Sequence, residues 1–192
     1  MPIQIINNIK SFVALSQEDE EAFIKILEIK KYAKKEFILQ EGQVCDKIFF
    51  INSGISRVFF NIDGEEKIVQ FFFSDSWFTD YSSFLIGQPT NENLQAMEPC
   101  EVVHLKKNDL YKLYETNPVF ERVGRVMAEN AFMSLMQLNS MRTNLEPEDR
   151  YLNLLKQRPE LVERIPQHYI ASYLGIKPQS LSRIRKRIFD KK

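Results

Sequence analysis

The chain has 192 residues, 44% hydrophobic and 27% charged, including 15 phenylalanines. This is the composition of an ordinary folded protein, with apolar material for one large domain or two small ones. The net charge is zero but unevenly spread, because Arg164 to Lys192 holds eight Lys/Arg against one acid. An acidic body thus carries a basic end suited to a polyanion, or a solvated terminal charge run.

Two distant cysteines, Cys45 and Cys100, and no CxxC exclude a disulfide framework and a four-cysteine metal or iron–sulfur site. No apolar run reaches the length of a membrane span. The start, MPIQIINNIKSFVAL, lacks the charged and apolar regions of a secretory signal, so a reducing cytoplasm is the expected compartment.

Residues 16–31, SQEDEEAFIKILEIKK, predict a helix. Ser16 stands at its N-terminus with acids in the next turn, and Phe23, Ile26 and Leu27 form one apolar face. From Phe37 the period shortens. EFILQEG, KIFFINSG and ISRVFFNIDGEEKIVQFFF are β-branched and aromatic runs broken at Gly42, Ser53-Gly54 and Asp63-Gly64. Asp-Gly between apolar runs is a hairpin signal, and short strands so spaced predict a sandwich or barrel. CEVVHLK, 100–106, is a later strand, and Asn108–Tyr114 a short helix.

Pro118 opens a long helix that continues to about Asn144. It carries two apolar stripes. One runs Gly124, Ala128, Ala131, Leu135, Leu138 and Leu145 and is interrupted by Arg142. The other includes Phe120, Val123, Met127 and Met133. A helix of roughly 26 residues is about 40 Å long, more than a small domain buries on two faces. One stripe is therefore assigned to the strand domain and the other to a partner helix; the alternative is that both face the same core. EPEDRYLNLLKQRP continues as a helix with Pro147 in its first turn and Tyr151, Leu154 and Leu155 facing inward.

The basic end reads QHYIASYLGIKPQSLSRIRKRI. Ile170, Ala171 and Leu174 share one helix face, and Gly175 is placed to end that helix in the left-handed conformation. Pro178 starts a second helix whose buried stripe is Leu181, Ile184 and Ile188. This is helix–turn–helix spacing, with small Ala171 where the helices cross. The second helix, 178–188, presents Gln179, Ser180, Arg183, Lys186 and Arg187. Gln and Arg pair with adenine and guanine edges in the major groove, while Lys177, Arg185 and Lys186 suit phosphates.

These stretches together resemble the Crp/Fnr family of bacterial transcription regulators. The resemblance runs over nearly the whole chain and includes LQEG (39–42), IFFINSGISRVFF (48–60), DGEEKIV (63–69) and IASYLGIKPQSLSRIRK (170–186). It implies an α+β fold: an N-terminal antiparallel, jelly-roll-like β-roll of the cyclic-nucleotide-binding type (1–116), a long dimerisation helix (117–145), and a C-terminal all-α helix–turn–helix domain (146–192). It implies a homodimer that places a recognition helix in each half-site of double-stranded DNA. RNA polymerase and a small-molecule effector are further candidate partners. Gln179 and Arg183, with Ser180 beside them, fall at the base-reading positions, where many members carry an acid and an arginine. Only QRPELVERIP precedes the motif and FDKK follows it, so a minimal wing or none is expected.

The family's phosphate-binding cassette corresponds to FTDYSSFLIGQPTNENLQA, 78–96. Asp80 holds the acidic position, Thr79 replaces a glycine, and Thr90 stands where the cyclic phosphate's arginine would be; Glu92 would repel a phosphate. A buried phosphate without a cation is costly, so cyclic AMP is not the expected ligand. Asp80, Tyr81, Ser82, Ser83, Thr90 and Asn91 either form a pocket for another effector or are cap and turn residues. His104 and His168 are read as structural or surface residues, and no cofactor or metal is expected. No catalytic signature occurs, so no enzyme activity is expected. The alternative to a DNA-binding regulator is a ligand- or protein-binding β-roll with a non-specific basic dock.

Overall fold

The computed structural model describes residues 3–190. Helices α1 (Ile3–Lys10) and α2 (Gln17–Ile24) lead into eight strands: β1 (Leu27–Tyr32), β2 (Phe37–Leu39), β3 (Lys47–Ser53), β4 (Ser56–Ile62), β5 (Glu65–Phe72), β6 (Ser76–Phe78), β7 (Asn93–Ala96) and β8 (Cys100–Lys106). Helix α3 (Tyr81–Ile86) lies between β6 and β7. After β8 the chain is helical: α4 (Lys107–Thr116), α5 (Val119–Asn144), α6 (Pro147–Gln157), α7 (Pro159–Arg164), α8 (Gln167–Leu174) and α9 (Pro178–Asp190).

The strands form two four-stranded sheets, ordered β1-β8-β3-β6 and β2-β7-β4-β5. The pairings β1–β8, β3–β8, β3–β6, β2–β7 and β4–β7 are antiparallel. Strand alternation sends one set of side chains to each face. Ile48, Phe50, Val103 and Leu105 meet Ile5, Ile9, Phe23, Leu113 and Phe120 in a core beneath the helices. Phe49, Ile51 and Val102 meet Ile38, Val58, Phe78 and Leu94 in a second core. Burial on both faces explains why KIFFINS reads as a continuous apolar run.

The expected helix over 16–31 ends at Ile24. Ser16 caps it in a capping box with Asp19. Leu27–Tyr32 is instead a strand whose six residues pair with Leu105 back to Cys100. Phe23, Ile26 and Leu27 fit a helical face, but antiparallel pairing to β8 outweighs that local preference. The long helix α5 spans 26 residues, and α6 has Pro147 in its first turn, as expected. QRPELVERIP holds the short helix α7, and among the described residues no strand follows β8.

The chain packs as two compact units. The first takes the chain up to Asn61 and again Val69–Glu129; the second takes Ile62–Ile68 and the chain from Asn130 onward. The tip of the β4–β5 hairpin thus belongs to the unit that contains α8 and α9. No helix is long and apolar enough to cross a membrane among the described residues.

Candidate nucleic-acid interface

In the second unit, α8 buries Ile170, Ala171, Tyr173 and Leu174, and α9 buries Leu181 and Ile184. Between them Gly175 adopts φ 69°, and Ile176 donates its N–H back to the Ala171 carbonyl at 2.9 Å. This 6→1 bond closes a left-handed helix end, which glycine occupies without a Cβ penalty. Pro178 then opens α9, and the Lys177 carbonyl accepts the Ser180 and Leu181 amides.

With Leu181 and Ile184 inward, Lys177, Gln179, Ser180, Arg183, Lys186 and Arg187 are exposed and Arg185 is half-buried. Arg187 is ion-paired with Glu148 of α6 at 2.9 Å. Arg185 and Lys186 border a groove floored by Tyr151, Leu155 and Ile188, beside Gln167 and Ser182. The helix therefore displays one amide, two hydroxyls and several cations on a rigid rod.

Three side chains that sequence reasoning missed tie this motif to other segments, two from outside it and one from within α8. Arg150 of α6 donates to the Leu174 carbonyl at 2.6 Å. Arg142 of α5 donates to the Tyr173 carbonyl at 3.3 Å. Ser172 Oγ accepts the Ile68 amide at 3.0 Å. Each partner is at least 24 residues away in sequence, so no local pattern announces them.

On α5, Phe120 and Val123 are buried in the first unit. Gly124 lies against the Tyr114 ring, leaving no room for a Cβ. Ala128 and Leu138 are half-buried and Ala131 is exposed, while Phe132, Met133, Leu135 and Met136 are 50–62% exposed.

The cassette segment lies in the first unit. Asp80 caps α3, accepting the Ser83 amide at 3.1 Å. Ser83 Oγ donates to the Gln88 carbonyl at 2.5 Å and accepts the Cys45 amide at 2.8 Å. Thr90 is 2% exposed; its Oγ1 accepts the Glu92 amide at 2.9 Å, and its own backbone bonds Gln43 and Gly42. Tyr81, Ser82 and Asn91 are exposed. Burial, and then the Asp80 carboxylate, push Glu92 up to about 7.

His104 is 3% exposed on β8, with Nε2 3.0 Å from the Tyr32 hydroxyl and its Nδ1 unpartnered. Burial, and next Lys30, bring it down to about 4. It is a neutral core residue. His168 is exposed at the start of α8. Cys45 and Cys100 are buried and unpaired.

Residues 29–117 match the cyclic nucleotide-binding domain family. The chain is 21% identical over 181 residues to the cAMP-activated global transcriptional regulator CRP of Pasteurella multocida, covering 88% of this chain and 87% of that protein. Among solved structures it is similar to CLP of Xanthomonas campestris, a c-di-GMP responsive global regulator (TM-score 0.71, 17% identity, 92% of this chain and 93% of that one). It is also similar to FixK2 of Bradyrhizobium japonicum (TM-score 0.72, 17% identity, 86% of both chains). The chain thus carries a cyclic nucleotide-binding-type domain at residues 29–117 within the fold of the Crp/Fnr transcription regulators.

Proposed function

We propose that the protein is a homodimeric, sequence-specific DNA-binding transcription regulator that places residues 178–188 in the major groove. The observation that carries this reading is α9 itself. Its inner face is locked by Leu181 and Ile184, and its outer face offers Gln179, Ser180 and Arg183 to bases with Lys177, Arg185 and Lys186 for phosphates. The exposed apolar side chains of α5 supply a surface for a second copy, and a two-fold pair of recognition helices matches half-sites about 34 Å apart. The similarity to CRP and CLP supports a regulator rather than an enzyme. Titration of duplex DNA tests it: Arg183→Ala lowers affinity by about 1–3 kcal/mol and relaxes preference at one base position, whereas Lys177→Ala weakens all sequences alike. Equal effects of both changes on every sequence would leave only a non-specific basic dock.

The β-roll does not respond to cyclic AMP in this reading. CRP is cAMP-activated and CLP is c-di-GMP responsive, but here Thr90, whose Oγ1 accepts the Glu92 amide, occupies the arginine position and brings no positive charge. A phosphate at that place would meet Asp80 and Glu92 without a cation. Calorimetry with cyclic AMP, cyclic GMP and cyclic di-GMP should show no heat of binding; micromolar affinity for any of them would overturn this part.

A further inference from the structure

Five cations stand on α9 or directly before it: Lys177, Arg183, Arg185, Lys186 and Arg187. Among the described residues, Arg187 alone of the five has an ion-pair partner. Its Nη2 lies 2.9 Å from Oε2 of Glu148. Glu148 is the second residue of α6, directly after Pro147. There the open N–H groups of the first turn favour a carboxylate, so the acid has a second reason to stay ionised in place. Its side chain is 29% exposed against 60% for Arg187. The acid is thus the more enclosed partner, and the arginine reaches for it.

Arg183 lies four residues before Arg187 on the same stripe of α9, and like charges at that spacing repel. Glu148 offsets the repulsion at the Arg187 end. An ion pair this open adds little to stability. What it changes is the charge on offer to a polyanion. A phosphate approaching Arg187 meets a cation and a carboxylate together, so it has no net charge there against which to release its condensed counterions. Lys177, Arg183, Arg185 and Lys186 carry no such acid.

We propose that Glu148 withholds Arg187 from the DNA backbone, so that Arg187 is a positioning residue tying the last turn of α9 to α6. The recognition helix then binds phosphates with one cation fewer than it carries. The base-reading side chains Gln179, Ser180 and Arg183 are untouched by the pair. Its effect is a weaker hold on every sequence alike, and so less retention on random DNA, whose binding is almost wholly electrostatic. The proposal rests on the DNA-binding reading above for this consequence, but the ion pair itself does not.

The test compares the full-length wild type with Glu148→Gln, Arg187→Ala and the double variant. Affinity for a selected and for a random duplex is measured across a series of salt concentrations. Glu148→Gln should bind both duplexes several-fold more tightly, with the slope of log affinity against log salt steeper by about one unit, the contribution of one further phosphate contact. Adding Arg187→Ala to it should remove the gain, whereas Arg187→Ala alone should move the slope by much less. In the free protein, nuclear magnetic resonance should find the Arg187 Nε–H ordered in wild type and as mobile as that of Arg183 in Glu148→Gln. Three results would overturn the proposal: an unchanged slope in Glu148→Gln, a loss of about one unit in Arg187→Ala alone, or a gain that survives in the double variant, which would make Glu148 a direct repeller of DNA. A wild-type protein that binds no duplex ends the DNA reading and this consequence with it; the Arg187 side-chain measurement then decides by itself whether Glu148 holds the arginine.

Discussion

Thr90, Glu92 and Gly175 show how single residues carry the account. Thr90 was legible from sequence as a lost cation. Its burial and its bond to the Glu92 amide show what the threonine does instead. Glu92 stands at about 7 in the folded chain against an ordinary 4.5. The folded state therefore holds this proton more tightly than the unfolded chain. The resulting stability is full below about pH 4.5 and is lost as pH rises through about 7. Glu92→Gln stays neutral throughout. Urea midpoints should agree for the two proteins near pH 4.5, with the variant more stable near pH 8; equal midpoints at pH 8 would mean that Glu92 ionises freely. Gly175 was readable as a helix terminator because only glycine enters the left-handed region without cost. Gly175→Ala should destabilise the second unit by about 1–2 kcal/mol in thermal unfolding. The Arg150 guanidinium 3.5 Å from the added methyl leaves contact without a clash. Arg142, Arg150 and Ser172 were not legible, since their partners are carbonyls and amides brought together only by folding.

At the scale of elements, periodicity succeeded where one pattern dominated. The long helix, the Pro147 start and the two helices around Gly175 follow their apolar spacing. It failed at 27–32, where LEIKKY satisfies a helical face locally but gains a full antiparallel partner in β8. It also passed over α1 and α7, whose short apolar patterns become decisive only against a core that already exists. Helix α5 divides by exposure. Its start is buried through Phe120 and Val123, whereas Phe132, Met133, Leu135 and Met136 stand open. Four large apolar side chains within five residues form a patch suited to a second copy of the same helix. Leu135→Glu should convert a dimer to a monomer in sedimentation equilibrium while leaving the far-ultraviolet circular dichroism unchanged. A wild-type protein that sediments as a monomer at all concentrations would remove α5 as the dimer helix.

At the scale of the whole molecule, the charge asymmetry and the fold answer one another. The acidic excess lies in the chain before Arg164, and the basic excess lies in the segment that contains α8 and α9. Such a division suits the proposed reading, in which a polyanion attracts the basic end and repels the acidic remainder. The central claim is that this attraction is converted into sequence reading by two recognition helices in fixed relation. Selection of binding sites from random duplex DNA, with affinity of the winners measured at two salt concentrations, tests it most directly. The account predicts a palindromic consensus whose half-sites lie one helical turn apart, bound by a dimer with moderate salt dependence. Steep salt dependence with no consensus would contradict it and leave a β-roll with a non-specific basic dock.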